Sequence, residues 1–153
     1  MNREQLINTA AQLQSLTPVC LSEFSLKRDR MIASVNEIMI ARADIISLVG
    51  EGNLDMMKGN HTNHARFMES LFKEFNAEVL VDTVLWVFRA YRSRKFSVNY
   101  WTIQLKTWLE VYKKELTEES FLAIYPFYSW MIRNISHFNN LSQDHDVRIS
   151  ISH

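Results

Sequence analysis

Glycine and proline are scarce in this 153-residue chain, which holds three glycines and two prolines. No glycine occurs in residues 60–153, so that stretch contains no residue that freely adopts a positive φ angle. Tight hairpins, phosphate-binding loops and the strained turns that present a nucleophile depend on such residues. The scarcity therefore favours helices, and together with the absence of an evident Cys/His pair it predicts that the protein is not an enzyme.

The chain also has only one cysteine, no net charge and no long apolar run. The single cysteine, Cys20, excludes an internal disulfide and favours a reducing compartment. With 17 basic and 17 acidic residues, the whole molecule has no electrostatic attraction to nucleic acid or to an anionic membrane. No run approaches the roughly 18 apolar residues of a membrane span, and the N-terminus has no apolar signal core. These features predict a cytoplasmic protein without membrane insertion.

Aromatic residues are abundant, and 14 of the 18 lie between Trp86 and Phe138. Apolar residues recur at helical spacing through most of the chain, which predicts an all-α fold of six or seven helices. The predicted helices cover about 2–16, 22–49, 62–75, 78–92, 97–116 and 117–138, with a short turn at 54–58. Residues 1–140 are expected to form the domain and residues 141–153 a loose polar tail, with a weak strand-like end at 148–151.

Two histidines, His61 and His64, are spaced so that both could lie on one helical face and bind a metal. The alternative is that they are solvated residues that flank a helix start in a polar loop. No cysteine or third histidine lies nearby in the sequence, so we predict no metal site.

A basic cluster lies between residues 89 and 95. It fits a solvated helix end, a nucleic-acid patch or a partly buried charge. On a helical wheel Arg92 falls within the apolar arc, between Val81 and Leu85, whereas Arg89 lies on the polar side. An inward arginine needs an anion, because an unpaired buried charge costs several kcal/mol. Either a protein carboxylate or a bound acid could supply it, and Arg92 could also reach out to solvent along its apolar neighbours.

Pro126 lies inside the last predicted helix, where it removes a backbone hydrogen bond and bends the rod. The bend either improves packing or widens a space between helices next to Tyr125 and Tyr128. Arg133 points away from the apolar arc of this helix.

Three segments carry a resemblance to a known family: Trp86-Val-Phe-Arg-Ala-Tyr-Arg, Tyr100-Trp-Thr-Ile-Gln-Leu-Lys-Thr-Trp-Leu and Phe127-Tyr-Ser-Trp-Met-Ile-Arg-Asn. In these three segments and in the order of its helices, the chain resembles the non-haem globin sensor domains of bacterial stress-signalling complexes. It resembles more closely the plasmid-encoded sporulation-inhibiting proteins of the anthrax bacillus, which are related to the sensor domain of a sporulation histidine kinase.

The resemblance implies a globin-like fold without haem, paired as a homodimer through its last two long helices. It also implies a hydrophobic tunnel that holds a fatty acid, whose carboxylate meets an arginine and a chloride ion. We assign the carboxylate first to Arg92, with Arg89 and Arg133 as fallbacks. The tunnel lining is assigned to Leu85, Phe88, Tyr91, Tyr125, Tyr128 and Met131. The dimer interface is assigned to Trp101, Trp108 and Tyr112.

The implied function is that of a free-standing sensor domain, without an output module, that inhibits sporulation signalling. It would sequester the signal or pair with a sensor kinase. Independently of the resemblance, residues 65–136 contain no histidine, so a haem globin would lack its proximal ligand there. The main alternative is a ligand-free helical dimerisation or interaction module. A haem or bilin globin and a DNA-binding regulator are further alternatives.

Overall fold

The computed structural model describes residues 1–152, with side chains as far as Gln143, and this part of the chain is built from helices without any strand. Eight helices follow one another: α1 (Arg3–Ala10), α2 (Pro18–Ile40), α3 (Ile45–Val49), α4 (Leu54–Lys73), α5 (Ala77–Arg92), α6 (Val98–Glu115), α7 (Glu118–Arg133) and α8 (Ile135–Ser152). The all-α prediction is confirmed, with eight helices in place of the expected six or seven.

Capping residues set several of the helix boundaries. Thr117 accepts a hydrogen bond from the backbone N–H of Ser120 and caps α7, as its position predicts. Thr17 caps α2 in the same way, with Pro18 in the first turn. This Thr-Pro pair, which suggests a helix break in the sequence, therefore starts a long helix, because the first turn does not need the proline N–H.

Three sequence predictions about helix continuity are wrong. The predicted helix at 22–49 is divided at residues 41–44 into α2 and α3, and the one at 117–138 is divided at Asn134 into α7 and α8. Conversely, α4 runs through Gly59 without interruption, so there is no separate turn at 54–58. Tertiary packing has overridden the low helix propensity of glycine at this position.

The C-terminal region also differs from its prediction. Residues 141–152, expected to be a loose tail with a strand-like end, continue α8 as helical backbone. His153 lies outside the described residues.

Helix α2 lies at the centre of the packing and contacts α4, α6 and α7, while α5 packs against α1 and α8. Successive helices α4 and α5 are not among the closely packed pairs, and a cavity lies between them. The core contains many aromatic residues, including Trp108, Tyr112 and Trp130. No helix in the described chain is both long enough and apolar enough to cross a bilayer.

Glu23 on α2 joins that helix to the start of α7. Its carboxylate accepts hydrogen bonds from Lys27 Nζ (2.7 Å), from the backbone N–H and hydroxyl of Thr117 (2.9 and 2.8 Å) and from the Ser120 hydroxyl (2.5 Å). Burial alone would raise the pKa of Glu23, but the hydrogen bonds from Lys27, Ser120 and Thr117 outweigh it and lower the pKa to about 2. The charged form is therefore the one that stabilises the fold.

We predict that Glu23→Gln lowers the free energy of unfolding at pH 7 by about 2 kcal/mol, because charge-assisted hydrogen bonds are lost. The folded pKa lies below the ordinary value of 4.5, so this contribution is complete above pH 4.5 and fades as pH falls towards 2. Urea unfolding at several pH values measures it. Glu37→Gln, at an exposed position of the same helix, is the control. Equal stability of the Glu23 and Glu37 variants at pH 7 would contradict the assignment.

Candidate ligand cavity

A cavity of about 270 Å³ lies between α4, α5 and α6, with one residue contributed by α7. Most of its wall is apolar, and several polar side chains lie on the α4 and α6 sides. The lining residues are Asn60, Asn63, His64, Phe67, Met68, Thr83, Val84, Trp86, Val87, Phe88, Tyr91, Trp101, Gln104, Leu105 and Met131.

Helical spacing explains how each wall is formed. On α5, Val84, Val87, Phe88 and Tyr91 are three or four residues apart and so share one face. On α4 the same spacing brings Asn60 and His64 to the cavity one turn apart.

The side chain of His61 is fully buried next to this wall, between α2 and α6. Its Nδ1 lies 2.6 Å from Asn36 Oδ1, and its Nε2 lies 3.0 Å from the hydroxyl of Tyr100, which also donates to Asn60 Oδ1 at 2.7 Å. Burial lowers the pKa of His61 to about 4, so the ring is neutral at pH 7. A neutral ring with its proton on Nδ1 donates to Asn36, and the single proton of the Tyr100 hydroxyl goes either to Asn60 Oδ1 or to His61 Nε2.

His64 lines the cavity and begins a chain of buried hydroxyl groups. Its Nε2 lies 2.7 Å from the Tyr128 hydroxyl, which lies 2.5 Å from the Tyr112 hydroxyl. Both protons find an acceptor if Tyr112 donates to Tyr128 and Tyr128 donates to His64 Nε2. The proton of His64 is then on Nδ1, an atom without a hydrogen bond to the described residues. Burial, and to a smaller extent repulsion from His61, lowers the pKa of His64 to about 3.

Gln104 on α6 is 1% exposed and lines the cavity. Neither its Nε2 nor its Oε1 has a hydrogen-bond partner within the described part of the chain, and the same holds for Trp108 Nε1. Gln104 lies one turn from Tyr100, which bonds to Asn60, and one turn from Trp108, whose ring centroid is 5.4 Å from that of His64. It therefore faces the stretch of α4 between Asn60 and His64.

The three predicted anion-binding arginines do not reach the cavity. Arg92 Nη2 donates to the backbone oxygen of Asn139 (2.9 Å), to Asn139 Oδ1 (3.1 Å) and to the Ser142 hydroxyl, so it joins α5 to α8. Arg89 is half-buried on α5 but is not among the lining residues. The exposed Arg133 lies beside Pro126 in a separate open groove. The expected arginine site for a carboxylate is therefore not assembled at this cavity.

The predicted tunnel residues divide into two groups. Phe88, Tyr91 and Met131 line the cavity. Leu85 and Tyr128 are buried but do not line it. Tyr125 is 45% exposed and lies in the groove beside Pro126, so it does not line this cavity either.

The dimer interface assigned from the sequence is also wrong in its residues. Trp108 and Tyr112 are fully buried within the chain, and Trp101 stacks on Phe88 with ring centroids 5.0 Å apart. These side chains already pack in the core, so they cannot form a surface between two copies without unfolding part of α6.

Sequence reasoning missed the polar wall of the cavity. It treated His61 and His64 as solvated residues in a loop, whereas both belong to α4 and contact α6. Gln104 was not singled out, although its position one turn from both Tyr100 and Trp108 was an available signal. No cluster of three or more potential metal ligands occurs in the described chain.

Comparison of the chain with protein-family models, with characterised proteins and with solved structures finds no match.

We predict that the protein loses stability as pH falls below 6.5. His61 and His64 have folded-state pKa values of about 4 and about 3, so below pH 6.5 the unfolded chain binds protons that the folded chain does not. The loss approaches about 1.4 kcal/mol per pH unit for each histidine until the folded pKa is reached. Thermal unfolding between pH 7.5 and 5 measures it. His64→Gln should reduce this pH dependence by about half, whereas His137→Gln serves as a control. An unchanged pH dependence in His64→Gln would show that His64 is not buried in its neutral form.

Proposed function

We propose that the protein is a non-haem, globin-like sensor domain that binds a fatty acid or a closely related acyl ligand in the cavity between α4 and α5. The main support for this proposal is the cavity itself, whose wall is predominantly apolar and includes Phe67, Val84, Val87 and Phe88. Protein interiors are normally filled by side chains, so a cavity of this size between helices favours an occupant.

The helix arrangement supports the globin-like part of the proposal. Globins pack eight helices around a pocket, and the described chain also has eight helices, four of which contribute residues to this cavity. His64 is the one histidine among the described lining residues and its Nε2 bonds to the Tyr128 hydroxyl, so the proposal of a ligand other than haem comes from the family resemblance. The accompanying chloride, the homodimer and the inhibition of a sporulation kinase come from the family resemblance.

The cavity volume indicates the length of the ligand. An engineered cavity of about 150 Å³ in another protein holds benzene, so 270 Å³ corresponds to about ten to twelve carbon atoms. Burial of ten methylene groups contributes on the order of 8 kcal/mol, and association costs reduce it, so the apolar chain alone supports at most about micromolar affinity. Trp86, which is 61% exposed, lies at the edge of the cavity, where a longer chain could leave it.

We predict that Val84→Phe weakens binding of decanoate or decanol by about tenfold or more, because the larger ring occupies space that the acyl chain needs. Isothermal titration with delipidated protein measures the affinity. Val79→Phe lies on the same helix, is exposed and does not line the cavity, so it should bind like the unmodified protein. Native mass spectrometry of the purified protein would show any retained ligand. Equal affinity in both variants would place the ligand elsewhere.

A helical interaction module is the second candidate, favoured by exposed apolar residues on α7. Leu122 is 59% exposed, and Tyr125 lies three residues further on, on the same face of α7. These two α7 residues replace Trp101, Trp108 and Tyr112 of α6 as candidates for the dimer interface.

We predict that a Leu122→Lys, Tyr125→Lys variant is monomeric at concentrations where the unmodified protein is a dimer, because two charges oppose burial of this face. Sedimentation velocity measures the change. Val19→Lys alters another exposed apolar residue and should leave the dimer intact. A monomeric unmodified protein at micromolar concentration would contradict the interface.

A further inference from the structure

We propose that Gln104 binds the polar end of the ligand and that this end is an uncharged group which both donates and accepts hydrogen bonds, with a primary carboxamide or an un-ionised carboxyl as its chemical class. The inference rests on the proposed function, namely that the cavity takes an acyl chain. It adds a recognition site on α6 that discriminates against ionised ligands.

The first argument is the state of the Gln104 amide. Leaving a buried donor or acceptor without a partner lowers the stability of the fold, and Gln104 has one of each in the described structure. Such a cost is tolerated in folded proteins mainly where a ligand or an ordered water completes the hydrogen bonds. Gln104 lines the cavity, so a bound molecule lies next to its side chain, and binding requires the amide to rotate towards that molecule because both polar atoms have almost no accessible surface in this structure.

The second argument is the position of Gln104 relative to other polar groups. It faces the α4 stretch between Asn60 and His64, and it lies one turn from Trp108, whose indole N–H also lacks a partner among the described residues. His64 Nδ1 adds another donor when the tyrosine chain is arranged as above. Donors and an acceptor therefore gather on the polar side of a largely apolar cavity.

The third argument is the absence of a cation. Among the described residues that line the cavity there is no lysine or arginine. His64 is neutral at physiological pH because burial lowers its pKa to about 3. An ionised carboxylate would therefore lose its hydration without gaining a counter-charge, which is unfavourable in a low-dielectric site.

These conditions select a particular head group. A carboxamide or un-ionised carboxyl presents one donor beside one acceptor, and it can form two hydrogen bonds with the side-chain amide of Gln104. A hydroxyl also donates and accepts, but from a single oxygen, so it cannot form two parallel hydrogen bonds with the amide as a carboxamide or carboxyl does. An ionised carboxylate can satisfy Nε2 but leaves Oε1 facing a negative charge.

The test compares decanamide, decanoate and 1-decanol at pH 8, where decanoate is ionised, by isothermal titration of delipidated protein. In the unmodified protein we expect decanamide to bind about tenfold or more tightly than decanoate. In Gln104→Leu the ratio should fall to about twofold, while the affinity for 1-decanol changes little. Gln12→Leu is the matched control at an exposed position and should retain the full ratio. Gln104→Met, which is closer in shape, replaces the leucine variant if that variant does not fold.

Thermal unfolding of the ligand-free proteins gives an independent measurement. Gln104→Leu should raise the unfolding midpoint by about 2 °C or more, because two unpartnered polar atoms are removed from the interior. An unchanged or lower midpoint, together with an unchanged ligand ratio, would overturn the assignment and indicate that the amide is satisfied by ordered water.

The outcomes separate this inference from the function on which it rests. If 1-decanol binds but decanamide has no advantage over decanoate, the acyl-binding function stands and the role of Gln104 is refuted. If none of the three probes binds, the acyl-binding function itself is refuted. A preference for decanamide that persists in Gln104→Leu would also refute the role of Gln104.

Discussion

Long side chains between α4 and α6 hold these two helices apart, and the cavity follows from that separation. Tyr100 reaches Asn60 and His61 through its hydroxyl, and Trp108 contacts the ring of His64. Aromatic side chains carry their contacts well away from the backbone, so two helices joined through their tips leave space beside them. The walls of that space are completed by α5, which packs against α1 and α8 rather than closely against α4.

Polarity without charge distinguishes this interior from an ordinary apolar core. Histidine, tyrosine and asparagine side chains form two hydrogen-bonded groups, one around His61 and one around His64, and desolvation keeps both histidines neutral. Ion pairs occur instead at the periphery, as between Arg3 and Asp82 or between Arg28 and Glu69. The interior is therefore suited to orient the polar end of a neutral molecule, and the partly unsatisfied groups lower the stability of the empty protein. Such local conflicts with packing rules are characteristic of functional positions.

The differences between the expected and observed sites have a common cause. A helical wheel gives the direction in which a side chain leaves its helix, but not the neighbouring element that it meets. Arg92 does leave α5 near the apolar arc, as expected, yet it donates to Asn139 and Ser142 of α8 and does not line the cavity. Trp108 and Tyr112 lie on an apolar stripe of α6, as expected, yet α4 and α7 cover that stripe within one chain.

The sequence by itself determined the helical class and much of which faces are buried. The scarcity of glycine, the 3.6-residue periodicity and capping residues such as Thr117 act through local backbone energetics. They can therefore be recognised in the sequence without knowing which helices pack together. Only the tertiary structure decided that α4 passes through Gly59, that Arg92 binds α8 and that Gln104 faces a cavity beside two neutral histidines. Those features depend on contacts between residues up to about fifty positions apart, where packing of several helices outweighs local preference.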